Sequence, residues 1–397
     1  MKVLAALVLA PHWVVSGAAT AATRLSQALA ETCDIELLRM GPADTSDRVG
    51  RLKVTGVRSS NPLQAGRAVL PSQLYTQFFR SSIPARVAQG GVDLVHLHNP
   101  IPTLELRRIA MACLRSRLPY VISTHGFVEV ASQGVAYGLR GPARLAWRLL
   151  VDGPFRWVVR HATRVLALSP ADMAVLDALA FPRAQVAIVP NGVDMPKESS
   201  ADEGEVERVC RKYGLPFPKP AGTPVGMFLG NHTRNKGVPV LLEAFRAYPA
   251  PFRLIVAGGH RPYIDYDGYV AGLRPGQHAH FPGVISEDEK NALFRYADVF
   301  IFPTRADTFP LSVLEAMAHG LPILATRVGG IPYQVNEQCG CLVAPDDPTA
   351  LRDAFAGLVR DETTMVAMGA AARRRAATEF DWASSAQKAL AAYRSIV

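Results

Sequence analysis

The sequence predicts two doubly wound α/β domains that follow one another along the chain. Its 397 residues suffice for two to three domains at a usual size of about 150 residues. Short runs rich in Val, Ile and Leu alternate with helical stretches, which is typical of parallel strands joined by crossover helices. The composition changes within 194–224, where a charged stretch precedes one rich in Pro and Gly. With 49% hydrophobic and 19% charged residues, the chain is not of the disordered or fibrous class.

The first half of the chain contains six candidate strands. They lie at 3–9, 35–40, 94–97, 120–123, 165–168 and 186–189. Residues 3–23 carry no charge, which is also typical of a signal peptide cleaved near Ala18, or of a membrane span. However, Pro11 interrupts this run, and its strongly apolar part covers only about eight residues, against about 20 in a span. We therefore expect a buried first strand, a loop and a helix over 18–30, with a signal peptide as the alternative.

The sequence of the second half of the chain predicts a linker and a second series of strands. The linker occupies 194–224, and the strands lie at 225–229, 252–257, 280–281, 299–302 and 323–325. A final helix over about 382–396 is expected to fold back onto the first domain. The first domain is therefore expected to comprise 1–193 with 381–397, and the second to comprise 194–380. The five cysteines form no CxxC pair, which argues against a disulfide framework.

The excess of basic residues lies in the first half. Residues 1–180 contain 20 Lys and Arg against 11 Asp and Glu, whereas 181–397 contain 23 of each kind. Such an excess indicates an anionic partner, which can be nucleic acid, a membrane surface or a phosphorylated substrate. The basic residues are scattered between apolar strands, and no nucleic-acid-binding motif accompanies them. We therefore expect no binding to nucleic acid.

Arginine and aromatic residues interleave near helical spacing in 139–161. The set comprises Arg140, Arg144, Trp147, Arg148, Phe155, Arg156, Trp157 and Arg160. This pattern is typical of a helix at a membrane interface, where aromatic rings lie at headgroup depth and arginines meet lipid phosphate. Two ordinary crossover helices, with Trp in the core and Arg in solvent, give the same pattern. The sequence is compatible with both arrangements.

The stretch 302–335 predicts an anion-binding helix at the end of a strand. A loop with Asp307 follows the strand, and Phe309 and Pro310 lead into a helix over 311–319. Pro in the first turn and Gly at the end are usual helix boundaries. Doubly wound sheets bind ligands at their carboxyl edge, and the N-terminus of a helix there favours phosphate.

The predicted helix over 311–319 would offer two kinds of hydrogen-bonding group to a ligand. The free N–H groups belong to Leu311, Ser312 and Val313. Glu315 lies one turn into the helix, where its carboxylate can accept two hydrogen bonds from a ribose diol. Because its neighbours are apolar, this carboxylate needs a partner.

This stretch resembles the donor-site motif of the family 4 glycosyltransferases, which have the GT-B fold. The family pattern is an acid, seven residues and Glu, followed by AMAxGxPVxAT and Gly-Gly. Here it reads Asp307, TFPLSVL, Glu315, AMAHGLPILAT and Gly329-Gly330, with Asp307 as a shorter variant of the usual Glu. The resemblance covers nearly the whole chain. It implies two Rossmann-like domains facing across a cleft, with the acceptor bound by the first and the nucleotide sugar by the second.

A second motif, from Phe228, resembles the family's loop G-R-x-x-x-x-K-G. Lys236 and Gly237 match it, but Asn231 occupies the usual Arg position. Arg234 is therefore expected to supply a second cation, because Lys or Arg stabilises the charge on a leaving diphosphate. The resemblance implies catalytic roles for His125, Lys236, Asp307 and Glu315. It implies donor contacts for Gly17, Asn231, Arg234, Lys236, Val284, Phe309, Pro310, Leu311, Ser312 and Glu315.

The first domain resembles the family in DLVHLHNP at 93–100 and in ISTHGF at 122–127. His125 matches the family histidine that reaches the transferred sugar, and we expect His98, Asn99 and His125 to bind the acceptor. His96 and His98 share one face of a strand. With His125 they also fit a zinc triad, but no Cys or carboxylate completes a familiar spacing, so we expect no metal.

Two further motifs bear on the class of enzyme. GxGxxG is absent from the sequence, which counts against a dinucleotide oxidoreductase. Asp265-Tyr266-Asp267 imitates the DxD metal motif of the other glycosyltransferase fold, but it lies in a Gly-containing loop. We therefore expect Asp265 and Asp267 to be exposed to solvent.

The resemblance implies a retaining hexosyltransferase that uses a UDP- or GDP-linked sugar and no cofactor. The expected acceptor is a hydroxyl of a glycan or a lipid-linked saccharide, in exopolysaccharide or glycoconjugate synthesis. The expected location is the cytoplasm, with peripheral attachment to the inner face of the membrane. A nucleotide-sugar epimerase or hydrolase on the same fold, and a non-catalytic nucleotide-sugar-binding subunit, are the alternatives.

Overall fold

The chain divides into two units, each built on a mostly parallel sheet. The computed structural model describes residues 1–11, 16–63, 67, 69–127, 130, 139–196 and 203–397. Unit 1 comprises Met1–Gly192 with Trp382–Val397, and unit 2 comprises Val193–Asp381. These limits lie one residue from the domain limits expected from the sequence.

Unit 1 contains a nine-stranded sheet in its described residues. Its strands are β1 (Lys2–Leu7), β2 (Asp34–Gly41), β3 (Thr45–Val49), β4 (Leu52–Ser60), β5 (Arg80–Ser81), β6 (Leu94–His98), β7 (Tyr120–Ser123), β8 (Arg164–Ala167) and β9 (Val186–Ile188). Their order is β3-β4-β2-β1-β6-β7-β8-β9, and β5 pairs with β4. All pairs are parallel except β3 with β4 and β4 with β5.

The uncharged run at the N-terminus forms the central strand of this sheet. β1 pairs with β2 on one side and with β6 on the other, and Val3 to Leu7 are buried. A strand covered on both faces and paired on both edges has no polar positions, which explains the continuous apolar sequence.

Three strands of unit 1 were missed by the sequence analysis. β3 is exposed along its whole length and contains a single apolar residue, so it lacks a period-two pattern. β5 has only two residues. In β4 the buried positions alternate with exposed ones at its start, where it pairs with both β2 and β3, and this pattern was available in the sequence.

Helices cover both faces of the first sheet. They are α1 (Gly17–Leu29), α2 (Ser72–Thr76), α3 (Ile83–Ala88), α4 (Thr103–Arg115), α5 (Gly141–Trp147), α6 (Gly153–His161) and α7 (Met173–Ala178). A single π-helical turn, Arg148–Asp152, joins α5 to α6. One hydrophobic core contains residues of α3, α4, α5 and α6 together with one face of β1, β6 and β7.

Two of the aromatic residues of the segment 139–161 do not face the surface. Trp147 and Phe155 are fully buried in the core, so that part of the interfacial interpretation is wrong. Arg156 pairs with Asp152 at 3.1 Å. The Arg160 guanidinium donates to a backbone carbonyl at 3.1 Å. These residues hold the helices together.

A different face of the same segment is exposed. Leu145 and Leu149 are 59% and 68% exposed, one helical turn apart. Arg148 lies between the two leucines in the sequence, Arg140 lies five residues before Leu145, and both arginines are exposed as well. The segment therefore combines apolar and basic groups at its surface.

Unit 2 contains a six-stranded sheet in which every pair is parallel. Its strands are β10 (Val225–Leu229), β11 (Phe252–Ala257), β12 (Gln277–Gly283), β13 (Val299–Phe302), β14 (Ile323–Thr326) and β15 (Gly340–Val343). Their order is β12-β11-β10-β13-β14-β15. The edge strand β15 contains Cys341 and was not among the predicted strands.

The remaining helices follow in chain order. They are α8 (Glu203–Lys212), α9 (Val238–Ala247), α10 (Tyr266–Ala271), α11 (Glu287–Tyr296), α12 (Leu311–Ala318), α13 (Ile331–Gln334), α14 (Pro348–Arg360), α15 (Glu362–Glu379) and α16 (Trp382–Arg394). The last of these, α16, belongs to unit 1 and packs against α1. None of the helices in the described ranges combines the length and the apolar character needed to cross a membrane.

Candidate active site

The sheet of unit 2 has a topological switch point between β10 and β13. From β10 the chain continues through β11 and β12 toward one edge, and from β13 through β14 and β15 toward the other. In doubly wound sheets the ligand binds outside the carboxyl ends of the strands at such a point. The loop after β10 carries Lys236 and the loop after β13 carries Asp307. The structure therefore brings these two predicted site residues together.

Lys236 and Asp307 form an ion pair. The ammonium of Lys236 donates to Oδ2 of Asp307, and the two side chains are 22% and 14% exposed. The same ammonium lies 5.5 Å from the ring centroid of Phe302, within reach of a cation–π interaction. The backbone N–H of Arg305 donates to the carbonyl of Asn235 at 2.6 Å, which fastens one loop to the other. The acid and the cation are thus held in place within one unit.

Two glycines allow these loops to approach each other. Gly237 has φ 72°, and a Cβ there would lie 1.8 Å from the carbonyl oxygen of Pro303. Gly329 has φ 51°, and a Cβ there would lie 1.8 Å from the carbonyl oxygen of Asp307. Any other residue would clash with the backbone and be strained in the left-handed region. The Lys-Gly and Gly-Gly motifs therefore shape the loop that carries Asp307.

Helix α12 begins four residues after Asp307 and has no side-chain cap. Pro310 is its N-cap. The free donors are the N–H groups of Leu311, Ser312 and Val313. Gln334 donates to the carbonyl of Pro310 at 3.0 Å, which fixes where the helix starts. A helix N-terminus with free N–H groups favours a phosphate or another anion.

Glu315 is paired with a lysine that the sequence analysis did not identify. Lys290 of α11 donates to Oε1 of Glu315 at 2.7 Å and also contacts Glu287 at 2.8 Å. The Lys290 side chain is only 12% exposed. Burial opposes its charge, but the two carboxylates outweigh this effect and raise the pKa of the ammonium. No spacing signals this contact, because Lys290 and Glu315 lie on different helices.

The other predicted donor residues differ in their surroundings. Arg234 stacks on Tyr263, with its guanidinium carbon 4.5 Å from the ring centroid. Asn231 is exposed, and Val284 is 78% exposed directly after β12. Phe309 is buried and packs edge-on against Phe380, so its side chain is part of the core.

A surface cavity of about 610 Å³ lies next to Tyr263. It is lined by His260, Pro262, Tyr263, Ile264, Asp265, Tyr266, Asp267 and Phe281. The rings of His260 and Tyr266 are stacked at 4.5 Å, and Tyr266 meets Phe281 edge-on at 4.9 Å. This aromatic wall, which the sequence analysis missed, provides faces on which a planar ring can stack.

The sheet of unit 1 has its own switch point, between β1 and β6. Gly17 follows the loop after β1, whereas His98 and Asn99 lie at the end of β6 and His125 lies just after β7. The backbone N–H of Val8 donates to the carbonyl of His98 at 3.1 Å, which joins the ends of the two strands. The predicted acceptor residues therefore meet at one edge of this sheet.

Three buried histidines form a row at this edge. The ring centroids of His96 and His98 are 3.8 Å apart, and those of His98 and His125 are 6.0 Å apart. Burial lowers the pKa of His96 to about 3 and that of His125 to about 4, and it also lowers the pKa of His98 well below its ordinary value. All three imidazoles are therefore neutral near pH 7.

The hydrogen bonds of the three rings differ. His96 is fixed by the hydroxyl of Tyr393 at 2.7 Å on Nδ1 and by that of Ser123 at 2.8 Å on Nε2. His98 is completely buried, and neither of its ring nitrogens has a hydrogen-bond partner among the described residues. A neutral imidazole carries one donor and one acceptor, so His98 can accommodate a hydroxyl or a water molecule.

Asn99 is engaged in hydrogen bonds within the fold, whereas the packing around Gly17 does not require a glycine. Asn99 has φ 68°, and its Nδ2 donates to the carbonyls of Val8 at 2.7 Å and Ile101 at 2.6 Å. Gly17 is the first residue of α1, after the N-cap Ser16. A Cβ at Gly17 would meet no described atom within 4 Å, so close packing does not explain this glycine.

The two candidate metal motifs do not form metal-binding groups. Within the described ranges no three His, Cys, Asp or Glu side chains are arranged to hold a metal ion, and this includes the row of histidines. Asp265 and Asp267 are exposed, and Asp265 caps α10 by accepting from the N–H of Gly268 at 2.9 Å.

Comparison with known proteins decides the family. The family model "Glycosyltransferase Family 4" matches residues 15–196, and "Glycosyl transferases group 1" matches residues 223–361. D-inositol 3-phosphate glycosyltransferase of Corynebacterium jeikeium is 30% identical over 80% of this chain and 76% of that protein. The chain belongs to family 4 of the glycosyltransferases. This family 4 chain has a mixed α/β structure of the GT-B fold.

Two other similar proteins match over a shorter length or at lower sequence identity. The protein of the same name from Corynebacterium urealyticum is 31% identical, but the match covers 54% of this chain and about half, 52%, of that protein. The solved structure of Anabaena HepE in complex with UDP-glucose covers 100% of both chains, with a TM-score of 0.71 and 17% identity. At that identity the likeness establishes the fold alone.

The family 4 motifs depart from the usual pattern at two positions of this site. Asn231 replaces the Arg of the loop after β10, and Arg234 lies within the same loop, stacked on Tyr263. Asp307 replaces the longer Glu and pairs with Lys236.

Proposed function

We propose that the protein is a retaining glycosyltransferase that transfers a hexose from a UDP- or GDP-linked sugar to a hydroxyl group. The observation that carries this proposal is the arrangement at the switch point of unit 2. Two lysine–carboxylate pairs, Lys236 with Asp307 and Lys290 with Glu315, flank the uncapped N-terminus of α12. Cations and free N–H groups suit a diphosphate, and an ionised carboxylate suits a ribose diol.

Each group has a defined task in the proposed reaction. Lys236, Arg234 and the N–H groups of α12 stabilise the negative charge that develops on the departing diphosphate. Glu315 holds the ribose, and Asp307 contacts the transferred sugar. The aromatic wall that includes Tyr266 offers a stacking surface to the base. The HepE structure with UDP-glucose concerns a protein of the same fold and supports the choice of donor class.

The proposed chemistry proceeds without a covalent enzyme intermediate. The bond between the anomeric carbon and the diphosphate oxygen breaks, and the acceptor oxygen bonds to the same face of the sugar. The proton of the acceptor hydroxyl passes to the departing diphosphate oxygen. The sequence contains no recognisable Ser-His-Asp or Cys-His motif that would supply a nucleophile and its base.

Unit 1 is proposed to bind the acceptor through His98, Asn99 and His125. Because the pKa of His125 is about 4, its imidazole is neutral at pH 7 and can exchange hydrogen bonds with a sugar hydroxyl. The unpartnered nitrogens of His98 have the same capacity. Asn99 contributes mainly by holding the ends of the loops, because its Nδ2 is already engaged.

A glycan or lipid-linked saccharide is the proposed acceptor, in exopolysaccharide or glycoconjugate synthesis. The support is the exposed surface formed by Arg140, Leu145, Arg148 and Leu149 on unit 1. Exposed leucines beside arginines suit the interface of an anionic membrane, where the arginines meet lipid phosphate. The proposal therefore includes a cytoplasmic protein attached peripherally to the inner face of the membrane.

The experiment that tests the function uses a panel of UDP- and GDP-linked hexoses. Thermal stabilisation identifies the donor, and its hydrolysis or transfer to glycan and lipid-linked acceptors is then measured. Proton NMR of the product reports whether the anomeric configuration is retained. Glu315→Ala should weaken nucleotide binding by about one to two orders of magnitude, because charge-assisted hydrogen bonds are lost.

Glu243→Ala is the control, since Glu243 is exposed on α9. Release of free sugar without transfer to any acceptor would indicate a hydrolase. Binding without turnover would indicate a non-catalytic subunit, and unchanged affinity in Glu315→Ala would overturn the donor site.

A further inference from the structure

Lys290 is a largely buried cation that contacts the proposed donor site and has no assigned role. Its side chain is 12% exposed, and it lies between Glu315 at 2.7 Å and Glu287 at 2.8 Å. It is located on α11, one helix earlier in the chain than the proposed ribose ligand on α12. Neither the motif of α12 nor that of the loop after β10 includes it.

The two carboxylates are not equivalent partners. Glu287 is 81% exposed and lies three residues before Lys290 on the same helix, a geometry in which ion pairs contribute little. Glu315 is 24% exposed and reaches Lys290 from a different helix. The charge of the buried ammonium is therefore compensated mainly by Glu315, and the ammonium is in turn the charge partner of Glu315.

This contact constrains what Glu315 can do. A carboxylate offers about four lone-pair positions on two oxygens, and the ammonium occupies one of them on Oε1. The carboxylate is thereby fixed by a charge-assisted hydrogen bond, and the other oxygen retains its lone pairs. A carboxylate that is held in one orientation can accept from two neighbouring hydroxyl groups without first losing rotational freedom.

We propose that Lys290 is a positioning residue of the donor site, which orients the Glu315 carboxylate for the 2′- and 3′-hydroxyl groups of the ribose. It thereby sets the preference for a ribonucleotide over its 2′-deoxy analogue. This inference rests on the proposed function, because it requires Glu315 to be the ribose ligand. Lys290 itself does not contact the nucleotide in this proposal.

A salt bridge with a purely structural role makes a different prediction. Its loss would lower stability, and it would weaken ribo- and 2′-deoxyribonucleotide binding by the same factor. A positioning role instead weakens the ligand that has both hydroxyl groups more than the 2′-deoxy form, which keeps only the 3′-hydroxyl group. The ratio of the two affinities is therefore the decisive quantity.

The experiment is isothermal titration calorimetry on the full chain with UDP, GDP and their 2′-deoxy forms. The base that binds the unmodified protein more tightly is used for all comparisons. Lys290→Met is expected to weaken the ribonucleotide about tenfold, the size of one charge-assisted contact, and the 2′-deoxy form by less than about twofold. Lys290→Arg keeps the charge and should preserve most of the preference.

Glu287→Gln is the matched control and should leave both affinities unchanged, because Glu287 is exposed. If Lys290→Met does not fold, Lys290→Gln provides the same comparison without a charge. Equal weakening of both nucleotides, or no change in either, overturns the positioning role if Glu315→Ala still weakens the ribonucleotide. If Glu315→Ala has no effect either, the donor site itself is wrong and the inference fails with it.

Discussion

The ammonium of Lys236 donates to the carboxylate of Asp307, although 71 positions separate the two residues in the chain. Both belong to loops at the switch point of unit 2, and both have proposed roles with a sugar diphosphate. In the structure each side chain is the charge partner of the other. Binding of an anion by Lys236 must therefore compete with Asp307.

This competition predicts opposite effects on binding and turnover. Asp307→Asn should strengthen binding of UDP or GDP severalfold, because Lys236 loses its counter-charge, while sugar transfer falls at least about tenfold. Lys236→Ala should lower turnover by about two orders of magnitude but change nucleoside-monophosphate affinity little. Calorimetry and initial rates measure the two quantities, with Lys388→Ala as an exposed control. Weaker diphosphate binding in Asp307→Asn would contradict the competition.

Arg234 is expected to compensate for the absent arginine at position 231. Arg234→Ala should reduce kcat about tenfold or more, because one cation is lost beside the leaving diphosphate. Asn231→Arg in the Arg234→Ala background should restore part of the rate. The ring of Tyr263 supports the Arg234 guanidinium at 4.5 Å, so Tyr263→Leu should have a smaller effect in the same direction. An Arg234→Ala protein with unchanged kinetics would show that no compensation exists.

Gly237 and Gly329 should not tolerate a side chain. Gly329→Ala and Gly237→Ala each place a Cβ 1.8 Å from a carbonyl oxygen at positive φ. Each should lower the free energy of unfolding by at least about 1–3 kcal/mol. Gly357→Ala is the control, because a Cβ there meets no described atom within 4 Å and Ala favours the helix α14. Thermal unfolding distinguishes these variants, and equal melting temperatures would contradict the close approach.

Acid should destabilise unit 1 through its buried histidines. The pKa values of His96 and His125, about 3 and 4 in the fold, lie below the ordinary 6.5, so the unfolded chain binds protons first. The stability they contribute is present above pH 6.5 and is lost as the pH falls toward 4, by about 1.4 kcal/mol per pH unit for each group. Asp172 opposes this trend, because burial raises its pKa from the ordinary 3.8 to about 6. Between pH 6 and pH 3.8 the folded chain therefore binds this proton before the unfolded chain does.

Tryptophan fluorescence reports this transition, because all four tryptophans lie in the residue ranges of unit 1. The urea concentration at the midpoint of unfolding should be lower at pH 5.5 than at pH 7.5. This decrease in the urea midpoint should be smaller in the His96→Gln variant than in the exposed control His161→Gln. A midpoint independent of pH over this range would contradict the assignment.

The surface around Leu145 and Leu149 should bind anionic vesicles. Because Arg156 is paired with Asp152, the residues to change are Arg140 and Arg148. Sedimentation with anionic vesicles at low salt should be abolished by Arg140→Glu with Arg148→Glu, since each basic residue contributes about 1 kcal/mol. Leu149→Ser should weaken it, whereas Arg360→Glu in unit 2 should not. Equal sedimentation with neutral and anionic vesicles would favour a soluble acceptor.

Much of the architecture followed from local sequence patterns. The strands at 225–229, 252–257 and 299–302 were predicted with their observed limits, because strands buried on both faces consist almost entirely of apolar residues. The exposed strand β3 lacks this signal, and its pairing with β4 makes it a strand. The same reasoning applies to Trp147, whose helical spacing fits a membrane face or a core equally well.

For the candidate site, the sequence by itself determined which residue types stand at the ends of which strands. Lys236, Asp307, Glu315 and His125 were all predicted from their motifs and their places after apolar runs. Only the tertiary structure decided that Lys236 pairs with Asp307, that Lys290 reaches Glu315 and that Tyr393 holds His96. These contacts join side chains from separate crossover units, and such distances depend on the order of strands in the sheet, which no local spacing encodes.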